Sequence, residues 1–128
     1  MQTIAERLKS AQSRIEQATA NAHRPPKSVQ LLAVSKTKPV SDINLAYEAG
    51  QRLFGENYVQ EGVEKIQHLS ALTDIEWHMI GHLQRNKVKY MAEYVSLVHG
   101  VDSPRLLAEI NKQAEWLKQI DFSCGSYF

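Results

Sequence analysis

The chain has 128 residues, the usual size of one domain, and its 43% hydrophobic and 23% charged residues are ordinary for a soluble globular protein. With 15 basic and 14 acidic residues the net charge is +1, which gives no electrostatic reason to expect nucleic acid or a membrane as partner. No apolar run is long enough to span a bilayer, MQTIAERLKS lacks a signal peptide's apolar core, and the lone Cys124 excludes an internal disulfide, so a reducing, cytoplasmic setting is expected.

Ile4, Leu8, Ala11, Ile15, Ala18 and Ala22 recur at three- and four-residue steps and predict an amphipathic helix over Thr3 to Ala22, ended by Arg24-Pro25-Pro26. Val29 to Ser35 is a near-continuous apolar run, the pattern of a strand buried on both faces. Ser41 is a candidate N-cap for a second helix, with Gly50 at its C-terminal end. Leu53-Phe54-Gly55 reads as a second strand, and Tyr58 to Leu72 as a third helix with Val59, Val63, Ile66 and Leu69 inward. Ile75 to Ile80 is a third strand, Arg85 to Glu93 is helical, and Val95 to His99 is a fourth strand. Asp102-Ser103-Pro104 opens a last helix that Leu107, Ile110, Ala114 and Leu117 carry to about Lys118. Ile120-Asp121-Phe122 suits the start of a fifth strand, after which Ser123 to Phe128 stops with neither a helix nor a polar tail.

A helix followed by four strand–helix alternations predicts an α/β fold, with a parallel sheet and helices outside it. The alternation does not separate an open doubly wound sheet from part of a barrel.

In either architecture chemistry gathers at the carboxyl ends of the strands. Lys36 stands at the end of the first strand, and alternation puts Leu32, Val34 and Lys36 on one face and Leu31, Ala33 and Ser35 on the other. In a partly desolvated interior, with Lys38 nearby, its amine would lose its proton more readily and could attack an aldehyde such as that of pyridoxal 5'-phosphate (PLP). The plain alternative is that both lysines mark where the strand surfaces into water. Asn57 can orient a ligand through its amide or cap the helix that follows. Glu76 and His78 share a face of the third strand, but two residues without further ligands make a weak metal site, and a hydrogen-bonded core histidine is the simpler reading. Gly81, His82, Gln84, Arg85, Asn86 and Lys87 cluster in one loop at a strand end, which suits anion or cofactor binding, or a solvated helix start. Cys124 has no histidine or acid nearby and is assigned no catalytic role.

Three stretches, LLAVSKTKP, AGQRLFGENYVQE and EWHMIGHLQRNK, closely resemble the PLP homeostasis protein family in order and spacing, and the resemblance runs from about the first helix to about Asp121. It implies a (β/α)8 TIM-type PLP-binding barrel, related to the barrel domain of alanine racemase, with an extra N-terminal helix. Lys36 matches the lysine that holds PLP as a Schiff base. Asn57 and Asn86 fall in motifs that border the cofactor pocket, whereas His82 occupies a position that varies. The family implies a non-catalytic PLP carrier or regulator in the cytoplasm, with no metal.

An eight-stranded barrel needs about 250 residues, so the chain corresponds to roughly the N-terminal half. Residues 1–121 are then half of a barrel domain and 122–128 a tail unlike the family. The family's serine-containing and arginine-glycine-threonine-type loops, which grip the PLP phosphate, are expected in the other half. The expectation is a truncated protein, impaired in holding PLP and prone to self-association through exposed strand edges. The alternatives are a racemase-like PLP enzyme, whose relatives carry a second β-rich domain, and an inert fragment.

Overall fold

The computed structural model describes residues 2–117 and 121–122. The expectations placed on Ile120, Cys124 and the rest of the tail lie outside them. Helix α1 (Ile4–Asn21) begins at Thr3, whose hydroxyl accepts the Glu6 N–H while the Glu6 carboxylate accepts the Thr3 N–H, a reciprocal capping box. Strand β1 (Ala33–Val34) leads into α2 (Val40–Glu48), β2 (Leu53–Glu56) into α3 (Val59–His68), and β3 (Glu76–Met79) into a 3-10 turn (Arg85–Lys87) that runs on into α4 (Val88–Met91). Strand β4 (Leu97–Val98), α5 (Pro104–Leu117) and β5 (Asp121–Phe122) complete the order. The four strands read from the sequence are all present, and the fifth is the short pair at Asp121 and Phe122.

The sheet order is β1-β2-β3-β4-β5, every pairing parallel. This order settles the question that alternation left open. A doubly wound sheet reverses direction at a switch point, which puts helices on both faces. Right-handed crossovers that always step the same way put them on one face, as in a barrel wall. Side chains agree. Phe54, Trp77, Met79 and Val98 point to the helix side and join Ile43, Ile66, Leu83, Val88, Met91, Leu106 and Ile110 in one core. Parallel register then assigns Val34, Gly55, His78 and Leu97 to the opposite, open face.

Three local expectations change. The first strand is two residues long and not buried on both faces: Val34, pointing away from the helix side, is 51% exposed. Ser41 is not the cap of α2. Pro39 holds that place in extended conformation, with no side-chain hydrogen bond, so Ser41 sits inside the first turn. Asn57 does not cap α3 either, since Tyr58 is the N-cap residue there. Gly50 follows Ala49, the C-cap residue of α2, with φ +104, the left-handed conformation that glycine adopts freely. No helix among the described residues is long and apolar enough to cross a membrane.

Candidate functional site

The carboxyl end of β1 is built around one inward and one outward residue. Ser35 extends the strand, its N–H donating to the Gly55 carbonyl, and its side chain is buried on the helix side. Its hydroxyl donates to the Glu56 carboxylate and lies 3.2 Å from the Gly55 carbonyl. Lys36 follows, exposed, in a turn that the Lys38 N–H closes on the Ser35 carbonyl at 3.1 Å. The described residues do not form the partly desolvated interior expected around it. Among the described residues no carboxylate pairs with its amine. Lys38 lies elsewhere: it lines a groove between α1 and α2 with Arg7, Leu8 and Asp42.

A different lysine is buried next to this strand end. Lys65 of α3 donates to the Ser35 carbonyl at 2.6 Å and to the Glu56 carboxylate at 3.2 Å, with the other Glu56 oxygen 3.1 Å away. The two side chains are 8% and 1% exposed. Glu61, one turn before Lys65, lies 3.7 Å from its amine and accepts the Thr37 N–H with both carboxylate oxygens at 3.1 and 3.0 Å. Gly62 makes this approach possible: a Cβ there would meet the Glu56 Cβ at 3.2 Å. Sequence reasoning missed Glu56 and Lys65, because charged residues on a helix or at a strand end read as solvated. The available signal was Gly62, a glycine inside an otherwise regular helix, which marks close packing.

Asn57, at the end of β2, rests on Gly81, where a Cβ would come within 2.1 Å of its Oδ1 and 2.5 Å of its backbone oxygen. It lines a groove between α3 and α4 with Tyr58, His82, Gln84, Lys87 and Tyr90. Neither Lys36 nor Asn86 lines that groove, and Asn86 is exposed in the 3-10 turn. The three residues expected to meet at the cofactor thus stand at the carboxyl ends of β1, β2 and β3 but do not share this groove.

On the open face, His78 is held as a hydrogen-bonded, nearly buried residue. Its Nε2 lies 3.0 Å from the Glu76 carboxylate and its Nδ1 2.9 Å from Nε2 of His99. Burial pushes the His99 imidazole below the ordinary histidine range, and the neighbouring His78 pushes it the same way. No group of three or more metal-binding side chains comes together among the described residues.

The chain is 48% identical over 118 residues to the pyridoxal phosphate homeostasis protein of Pasteurella multocida, covering 91% of this chain and 51% of that one. It is also 48% identical to the Escherichia coli protein of the same name, over 88% of this chain and 49% of that one. Among solved structures it is similar to PipY of Synechococcus elongatus with PLP bound, at TM-score 0.78 and 43% identity, covering 91% of this chain and 50% of that chain. An unknown protein from Bifidobacterium adolescentis superimposes at TM-score 0.82 with 32% identity, over 88% of this chain and 50% of that one. No family model matches the chain. The resemblance carried by the three motifs therefore extends over about nine tenths of the chain, which spans about half the length of the curated relatives it matches.

Proposed function

We propose that this chain, similar along most of its length to half of a pyridoxal phosphate homeostasis protein, supplies the cofactor-capturing wall of a PLP-binding barrel. Lys36 is the attachment residue. One observation carries the reading: at the carboxyl end of β1, the end where such barrels bind ligands, Lys36 is exposed with its amine unpaired by any described carboxylate, while the buried Lys65 beside it is locked.

The residues present fit the aldehyde end of PLP. An unprotonated primary amine is the nucleophile that a carbonyl requires, and no described carboxylate holds Lys36 as an ammonium in an ion pair. Beside it, Val34 lies in register with Gly55, over which Leu32 and Ile80 close to form an apolar floor for a flat ring. When bound, PLP supplies an electrophilic carbonyl and an electron-accepting ring. The chain's own residues hold the amine at the strand end and keep one side of it apolar. Asn57 and Asn86, from the two adjacent strand ends, are proposed to orient the cofactor through their amides. The function is then binding and buffering of PLP in the cytoplasm, without turnover. β1 is an edge strand whose Val34 is half-exposed, which supports self-association of the chain.

Incubation with PLP, reduction with borohydride and mapping of the modified peptides tests this. Modification is expected at Lys36 well above the other lysines, and its loss in Lys36→Ala without a rise elsewhere. Uniform modification of all lysines would overturn the reading. Amino-acid racemisation that disappears in Lys36→Ala would replace it with an enzymatic one.

A further inference from the structure

The hydrogen bonds at the end of β1 do not fall on arbitrary groups. The Ser35 carbonyl belongs to the peptide group before the Lys36 Cα, and the Thr37 N–H belongs to the peptide group after it. Helix α3 engages both: Lys65 donates to the first at 2.6 Å, and Glu61 accepts from the second at 3.0 and 3.1 Å. The signs are complementary, with an ammonium on the carbonyl and a carboxylate on the N–H. The two α3 side chains lie 3.7 Å apart, and Lys65 is anchored in turn by buried Glu56. Thr37 has φ +64, a conformation that a β-branched residue adopts only when its surroundings enforce it. The Thr37 hydroxyl donates back to the Lys36 carbonyl at 2.6 Å, which ties down the same peptide group once more.

A buried ion pair is a poor source of net stability, because desolvation cancels most of its attraction, but it does fix geometry. We propose that Glu56, Glu61 and Lys65 are positioning residues for Lys36: a charged clamp from α3 grips the two peptide groups that bracket it, so that its amine is presented on the open face of the sheet. The clamp acts entirely from the helix side and leaves the open face free for the ligand. This inference rests on Lys36 as the attachment residue, and it assigns a role to buried charges that the capture of PLP does not itself use.

The test compares Glu61→Ala with Glu61→Gln in the full chain. Glu61 is 30% exposed, so both variants are expected to fold, with melting close to the parent's. In Glu61→Ala, amide hydrogen exchange at Thr37 is expected to rise about tenfold while exchange in the α3 backbone stays as it was. Selectivity of PLP modification for Lys36 over the other lysines is expected to fall about tenfold, as for a displaced reacting group. Glu61→Gln, whose amide oxygen still accepts the Thr37 N–H, is expected to restore most of both. The double variant Glu56→Gln with Lys65→Met removes the Lys65 bond from the Ser35 carbonyl, which keeps only the Lys38 N–H at 3.1 Å, without stranding a buried carboxylate, and the same loss of selectivity is expected. Unchanged exchange at Thr37 in Glu61→Ala, or faster exchange with Lys36 selectivity intact, would overturn the clamp. If the parent chain shows no preference for Lys36, the PLP reading fails by itself, and exchange at Thr37 still decides whether the clamp exists.

Discussion

At His99 two effects act in one direction. Burial disfavours the imidazolium, and His78, ring nitrogen to ring nitrogen at 2.9 Å, disfavours it further. If the Glu76 carboxylate takes the His78 Nε2–H, His78 Nδ1 is an acceptor and His99 Nε2–H donates to it. The folded state therefore binds the His99 proton more weakly than the unfolded chain. Between the ordinary histidine value of about 6.5 and the lower folded value, the unfolded chain holds more protons, so stability falls as pH falls through that window and levels off below it. Urea unfolding of the parent chain is expected to shift to lower denaturant from about pH 7 to about pH 5, and His99→Gln to flatten that shift. Superimposable pH profiles would mean that His99 titrates alike in both states. Gly81 is a second residue-scale case. An alanine Cβ would lie 2.1 Å from Asn57 Oδ1 and 2.5 Å from its backbone oxygen. Because a backbone atom cannot swing away, Gly81→Ala is expected to cost about 1–3 kcal/mol in denaturant unfolding. The motif around Gly81 was visible in the sequence, but its contact with Asn57, twenty-four positions earlier, was not, since only the pairing of β2 with β3 brings the two strand ends together.

Helix starts separate what local sequence decides from what it does not. At α5 the reading from Asp102-Ser103-Pro104 holds: Ser103 Oγ accepts the Leu106 N–H at 3.1 Å and Pro104 is the first helical residue. At α2 the serine signal misleads. Pro39 has no N–H to satisfy and a φ near −71, and it takes the N-cap place two residues before Ser41, which then has no cap to make. The two serines accordingly differ in consequence. Ser103→Ala is expected to lower stability by about 1 kcal/mol, the usual worth of an N-cap, and Ser41→Ala to leave it within about 0.5 kcal/mol. Equal losses in paired thermal melts would show that the cap at α5 is not holding its helix. Strand lengths are the other miss. Seven apolar-leaning residues from Val29 to Ser35 yield two in β1, because a strand extends only as far as its neighbour offers groups to pair with, and Ala33 and Val34 are the residues in register with Phe54 and Gly55.

Across the whole molecule, the property that sets the rest is that the sheet is packed on one side. Alternation along each strand told which residues share a face, and that much was readable from the sequence. Which face the helices cover was not, because it follows from strand order and crossover hand, quantities that appear only when the strands are assembled. The open face carries half-exposed Val34 and the His78–His99 pair, with Lys36 in the turn that follows Ser35. A one-sided core predicts an asymmetry between neighbours on paired strands. Phe54 is 1% exposed against the helices and touches Trp77, ring centre to ring centre at 5.7 Å. Phe54→Ala is expected to cost about 3–5 kcal/mol through lost burial and the cavity left behind. Val34, in register with the adjacent Gly55 and 51% exposed, faces the other way. Val34→Thr keeps the β-branch, adds a hydroxyl to a surface already wet, and is expected to cost less than about 1 kcal/mol. Urea midpoints of the two variants, measured at a chain concentration low enough to exclude association, decide the matter. A loss in Val34→Thr as large as that in Phe54→Ala would mean that the open face is covered and dry. Lys36 would then sit inside a closed cavity rather than on an accessible wall.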